Sequence, residues 1–205
     1  MPSSGRPVPL SASVSLLLSD RVVFDDGEGG WDVVRGWVRS RGALIEATGR
    51  FDPQDRSAVA DLPQNRDAEL LDFGGRLISP AFVNAHTHLA LGFLRGAAGL
   101  ATASDNMVLQ GFFRLEERLT PADVRAFARM GAYESLLHGV GWVWDHYYHG
   151  EEVAEALLEV GLGGVVAPTL QDVSGPGHTD SQRQLDATVR IAEATRFSER
   201  GVFAA

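Results

Sequence analysis

The chain has 205 residues, with 27 acidic against 18 basic side chains and a formal net charge of -9. That balance excludes a nucleic-acid partner, which needs a basic face for phosphate, and the absence of cysteine excludes disulfides and thiolate metal sites. A hydrophobic content of 44% and a charged content of 22% are those of an ordinary soluble globular protein, with room for one large or two small domains. Residues 1–13, rich in Pro, Ser and Gly, predict a flexible tail. Leu16-Leu-Leu18 is too short for a signal core or a membrane span, so no membrane partner is expected and a cytoplasmic location follows by default.

Residues 14–75 carry strand signals and predict a small antiparallel, sandwich-like β unit. A loosely alternating run at 14–24 meets the turn cluster Asp25-Asp-Gly-Glu-Gly-Gly30. The glycines there do not form a phosphate loop, because no Lys-Ser/Thr pair or helix start follows. Short strands are expected at 33–39 and 43–48, a polar loop at 53–67 and an extended run at 69–73.

From residue 76 the texture changes to strand and helix in alternation. The strand at 77–85 is an apolar run. A helix starts at Thr120-Pro-Ala-Asp123, with Thr120 as N-cap, and presents Val124, Phe127, Ala128, Tyr133, Leu136 and Leu137 before Gly139 ends it. Strands at 141–148 and 165–170, helices at 151–160 and 181–198, and a strand opening at 201–205 complete the pattern. Such alternation predicts an α/β fold with a parallel sheet and right-handed crossovers.

Chemistry concentrates where the first of these strands ends. His86 and His88 are two residues apart, so strand alternation presents both imidazoles on one face, which suits two ligands on one divalent metal, zinc or iron. In the next strand, Trp142, Trp144, His146 and Tyr148 share one face, and Val143, Asp145 and Tyr147 the other. Asp145 and His146 are candidates for lining a substrate pocket; the competing reading is an aromatic strand packed on helices. His178, in the loop after the third strand, is a further candidate substrate contact, against a plain solvated histidine. Asn84 and Thr87 either support the ligands or simply pack. His138 sits where a helix end favours it and is assigned no chemistry.

Gly74-Gly-Arg-Leu-Ile-Ser-Pro80 followed by Phe82-Val-Asn-Ala-His-Thr-His88 resembles the fingerprint of the amidohydrolase superfamily of metal-dependent hydrolases. Leu89-Ala-Leu-Gly-Phe-Leu-Arg-Gly96 and Leu115-Glu-Glu-Arg-Leu-Thr-Pro121 resemble its aminohydrolase branch, which holds chlorohydrolases and deaminases of ring compounds. Ala81 departs from the glycine usual in the family and keeps the residue small. The resemblance covers residues 14–205 and implies the first half of a (β/α)8 barrel, TIM-like, occupying 76–205 after the small β unit.

The resemblance also implies one ion held by the His-x-His pair, by two histidines from later strands and by a late Asp. The ion would activate a water for attack on a ring carbon of a small-molecule substrate, with deamination the expected outcome. A full barrel needs about 250 residues, so the remaining ligands and the catalytic acid/base are expected beyond Ala205, and the chain reads as a fragment of such an enzyme. The alternative is a non-catalytic remnant that binds a partner or self-associates as a homo-oligomer, for which two half-barrels could pair edge to edge.

Overall fold

The computed structural model describes residues 13–96, 108–171, 175–176 and 181–205, so the predicted tail at 1–12 and His178 lie outside the described residues. Two compact units divide between Pro80 and Ala81, five residues later than the sequence boundary at residue 75.

The first unit begins as a meander of β1 (Val14–Asp25), β2 (Trp31–Arg41) and β3 (Leu44–Arg50). At the first turn the Asp26 carboxylate accepts the N–H groups of Glu28 and Gly30, both at 2.8 Å, and Gly27 and Gly29 supply positive φ angles of 79° and 87°. After α1 (Arg56–Asp61), β4 (Glu69–Asp72) and β5 (Leu77–Ile78) both pair with β1 in parallel, so the sheet is mixed and not the antiparallel unit expected. A bulge between Ser19 and Val22 divides the long β1 into two pairing edges. The fully buried Ser19 hydroxyl sits at that division, 3.1 Å from the Gly74 carbonyl, and donates to the Arg76 carbonyl.

Leu16, Leu18 and Trp37 form the core of this unit with Val59 of α1. The segment expected to be a loop at 53–67 therefore folds onto the sheet through Val59, and is braced internally where the Asn65 amide donates to the Val59 carbonyl at 2.8 Å. Its one buried apolar side chain, Val59, is too weak a pattern to be read in advance.

The second unit is a parallel sheet whose strands stand in chain order: β6 (Phe82–Thr87), β7 (Val140–Tyr147), β8 (Gly163–Pro168) and β9 (Val202–Ala204). The connections contain α2 (Phe113–Glu116) and α3 (Pro121–Leu137), then α4 (Gly150–Val160), then α5 (Ser181–Glu193) and α6 (Thr195–Ser198). The apolar run expected as one strand at 77–85 is split between the two units. Pro80 has no N–H to give a ladder, so pairing stops before it and restarts at Phe82. The helix expected at 181–198 breaks at Ala194, whose φ of -79° and ψ of 97° are extended.

Thr120 caps α3 as its sequence demands: its hydroxyl accepts the Asp123 N–H at 3.2 Å, and Asp123 returns a bond to the Thr120 N–H at 2.9 Å. The buried stripe of α3 is narrow, formed by Val124, Ala128 and Ala132 at four-residue spacing. Tyr133 and Leu137, expected on the apolar face, lie around the helix from that stripe and are exposed, and Leu136, next in the four-residue row, is exposed at the helix end. The core joins these small side chains to Val143, Val166 and Val202 of the sheet and to Val153, Leu157 and Ile191 of α4 and α5. The opposite sheet face is open, with Trp144 47% and Phe203 43% exposed.

Candidate metal centre

The register of β6 on β7 decides where the histidines point. Asn84 lies beside Val143 on the helix-facing side, and strict alternation would carry His86 and His88 to that side too. The register slips between Asn84 and Thr87, and Thr87 lies beside Asp145, so three residues of β6 span two of β7. Such a bulge re-aims the side chains beyond it. His86 and His88 are thereby turned to the face that carries His146.

The three imidazoles form one cluster, with a ligand nitrogen from each lying within 4.8 Å of the others. Ring centroids are 5.0 Å apart for His86 and His88, 5.3 Å for His86 and His146, and 4.2 Å for His88 and His146. His88 Nδ1 lies 2.7 Å from the His146 carbonyl, which can only accept, so Nδ1 carries the proton and Nε2 keeps its lone pair. His146 Nδ1 lies 3.2 Å from the Thr169 hydroxyl just after β8. Burial, followed by the neighbouring His88 and His86, holds the His146 imidazole below its ordinary value and favours the neutral, ligating form. Neutral nitrogen donors gathered at one point are the donor set that zinc and iron accept, so these residues fit such an ion.

Asp145 does not line the pocket expected of it. It points to the helix side, where it is fully buried, and one carboxylate oxygen accepts the Leu89 N–H at 2.5 Å. The other oxygen, Oδ1, has no hydrogen-bond partner, and burial pushes the carboxyl up to about 7. On its far side the Leu89 carbonyl meets α3 at Gly131, where an added Cβ would lie 2.5 Å from that oxygen. The residue after His88 is therefore clamped from two directions.

Beside the cluster lies a cavity of about 320 Å³ reached by both His88 and His146. Phe112, Phe113 and Tyr148 give it aromatic walls, and Glu116, Thr169 and Gln171 give it polar edges. Gln171 donates to the Tyr148 hydroxyl at 2.9 Å. Glu116 is buried, and that burial raises its carboxyl, while burial pushes the Tyr148 hydroxyl up to about 12. A larger groove of about 660 Å³ between β6 and α3 also touches His88 but not His146. Sequence reasoning missed Glu116, Thr169 and Gln171; within Leu115-Glu-Glu-Arg, nothing in the pattern separates the inward Glu116 from the outward Glu117.

The sequence profile of the amidohydrolase family matches residues 77–204, more than half of the chain. The chain belongs to the amidohydrolase family. A 5-methylthioadenosine/S-adenosylhomocysteine deaminase of Nitratidesulfovibrio vulgaris is 33% identical over 162 residues, 78% of this chain and 36% of that protein. A 5'-deoxyadenosine deaminase of Methanothrix thermoacetophila is 40% identical over 118 residues, 55% of this chain and 27% of that protein. The chain thus spans about a third of the length of the curated relatives it matches.

Among solved structures, guanine deaminase from C. acetobutylicum superposes with a TM-score of 0.72 at 14% identity, covering 94% of this chain and 45% of that one. The atrazine chlorohydrolase TrzN from Arthrobacter aurescens, solved with zinc, gives a TM-score of 0.68 at 21% identity, covering 93% and 45%. At these identities the likeness is one of fold, and it places this amidohydrolase among mixed α/β neighbours.

Proposed function

We propose that His86 and His88 hold one divalent ion, zinc or iron, for the hydrolysis of a non-peptide C–N bond in a nitrogenous ring compound. Deamination is the reaction, and the four-stranded sheet is part of a (β/α)8 barrel with the cluster at its carboxyl end. The observation that carries this reading is the convergence of the two imidazoles with His146, beside the 320 Å³ cavity that His88 and His146 line. The deaminase relatives support the choice of reaction.

The ion would lower the pKa of a water to about 7 and so supply a nucleophile at neutral pH. The chain's own residues do the rest of the work in view. The His146 carbonyl fixes the tautomer of His88, and Asp145 anchors the backbone that follows it. Phe113 and Tyr148 offer flat apolar walls to a heteroaromatic ring and exclude water from it. Glu116, Thr169 and Gln171 offer hydrogen bonds to the ring's polar edge or to an attached sugar.

The test is ammonia release from 5'-methylthioadenosine, 5'-deoxyadenosine and guanine by zinc-loaded protein carrying the whole barrel, with His86→Ala and His88→Ala alongside. Turnover is expected to fall below detection in both variants. Turnover that survived both replacements would refute the reading.

A further inference from the structure

We propose that the cavity beside the histidines selects its ring substrate by charge: it takes an uncharged one, and the Glu116 carboxyl turns away one that carries an anionic group. The proposal rests on the reading that the substrate ring binds in this cavity, and it adds a specificity-determining residue to that reading.

Three observations carry it. Glu116 is 7% exposed and, among the described residues, is the one carboxyl on the cavity wall, with no arginine lining the cavity beside it. The group that faces it from β7 is the Tyr147 hydroxyl, which is neutral. The outward acids are matched differently. Glu151, Glu152, Glu155 and Glu159 of α4 each lie within 3.6 Å of an arginine on α3, α5 or α6. A second anion placed against Glu116 would meet a like charge with no cation between them.

The second observation is where the basic residues lie. All 18 are arginines, and none falls at 96–113 or 139–182. Those stretches supply every cavity-lining residue that follows Leu91, except Glu116 itself. Of the arginines that flank the first stretch, Arg114 is exposed, and Arg95 lines the other groove and gives two 2.9 Å bonds to Glu134. The third observation is the wall itself. Phe112, Phe113 and Tyr148 strip water from a bound group, so an anion there loses its hydration with nothing in return. An ion held by His86 and His88 attracts an anion only at its own end, which the reacting carbon and its water must occupy.

The experiment uses zinc-loaded protein carrying the whole barrel and a matched pair of probes, the 5'-carboxamide and the 5'-carboxylate of adenosine. The two have the same shape and differ by one negative charge. Assays at about pH 8 keep the Glu116 carboxyl ionised although burial raises it. Ammonia release gives kcat/KM for each probe, and calorimetry gives the affinity of each. The carboxylate is expected to fall short of the carboxamide by at least about a hundredfold in both, since like charges brought together in a closed site discriminate at that level or above. Glu116→Gln should shrink the ratio between the probes at least about tenfold, whatever it does to turnover as a whole. A merely structural loss would lower both probes together and leave the ratio where it was.

Equal kcat/KM for the two probes, with turnover still lost in His86→Ala, would overturn charge selection and leave the deaminase reading standing. A ratio unchanged in folded Glu116→Gln would overturn the assignment to Glu116. With no ammonia from either probe the deaminase reading falls, and calorimetry then decides alone: tighter binding of the carboxamide upholds charge selection, while equal binding, or none by either probe, overturns it.

Discussion

Replacing Gly131 by alanine sets two effects of opposite sign against each other. In a helix interior the change is worth about 1 kcal/mol in favour of alanine, because glycine loses more backbone freedom on folding. Against it stands the Cβ, which would lie 2.5 Å from the Leu89 carbonyl oxygen and 3.1 Å from two further Leu89 backbone atoms. Backbone cannot swing aside as a flexible side chain can, so α3 and the Leu89 segment must separate by at least about 0.5 Å, and overpacking of this kind costs about 1–3 kcal/mol. Separation also strains the bond from Leu89 to Asp145, worth a further 1 kcal/mol or so. The net expectation is a loss of about 1–3 kcal/mol, or about 2–12 °C in Tm for a chain of this size. Urea and thermal melts followed by circular dichroism measure it. A variant more stable than wild type would mean that propensity had won and that the close approach of α3 to Leu89 is not a tight contact.

Two further outcomes are expected. The folded-state pKa of Asp145 stands above its ordinary value, so its contribution to stability is fully present below about pH 4 and is lost as pH rises through about 7. At about 1.4 kcal/mol per unit, Asp145→Asn should gain about 3 kcal/mol relative to wild type between pH 5 and pH 8 in metal-free protein, read from urea midpoints; a difference independent of pH would refute this. Ser19→Ala removes the hydroxyl that holds the Gly74 and Arg76 carbonyls and should cost about 1–3 kcal/mol. A cost under 0.5 kcal/mol in the same melts would show that the β1 bulge holds itself.

The sequence discloses the alternating elements of the second unit because each rests on local chemistry. Thr120, Pro121 and Asp123 announce α3, Gly139 and Gly161 end α3 and α4, and apolar runs mark β7 and β8. The His86/His88 pair is likewise legible from strand period alone. Their union with His146 is not, since it depends on which residues of β6 lie beside which of β7 and on a one-residue slip between Asn84 and Thr87. No pattern within either strand encodes that slip. The parallel placing of β4 and β5 on β1 is hidden for the same reason, as it follows from a bulge and a buried serine between distant segments. Asp145 and His146 look equally eligible as neighbours in sequence, yet period two sends them to opposite faces, and only the packing of α3 says which face is closed.

The clustered imidazoles come from a single strand–helix–strand crossover, β6 to α3 to β7, and that confinement bears on how the protein is made. Sixty residues separate His86 from His146, so a ribosome adding 5–20 residues per second delivers the last imidazole about 3–12 s after the first. Every residue of the cluster has then been joined to the chain before any residue of α4 or β8.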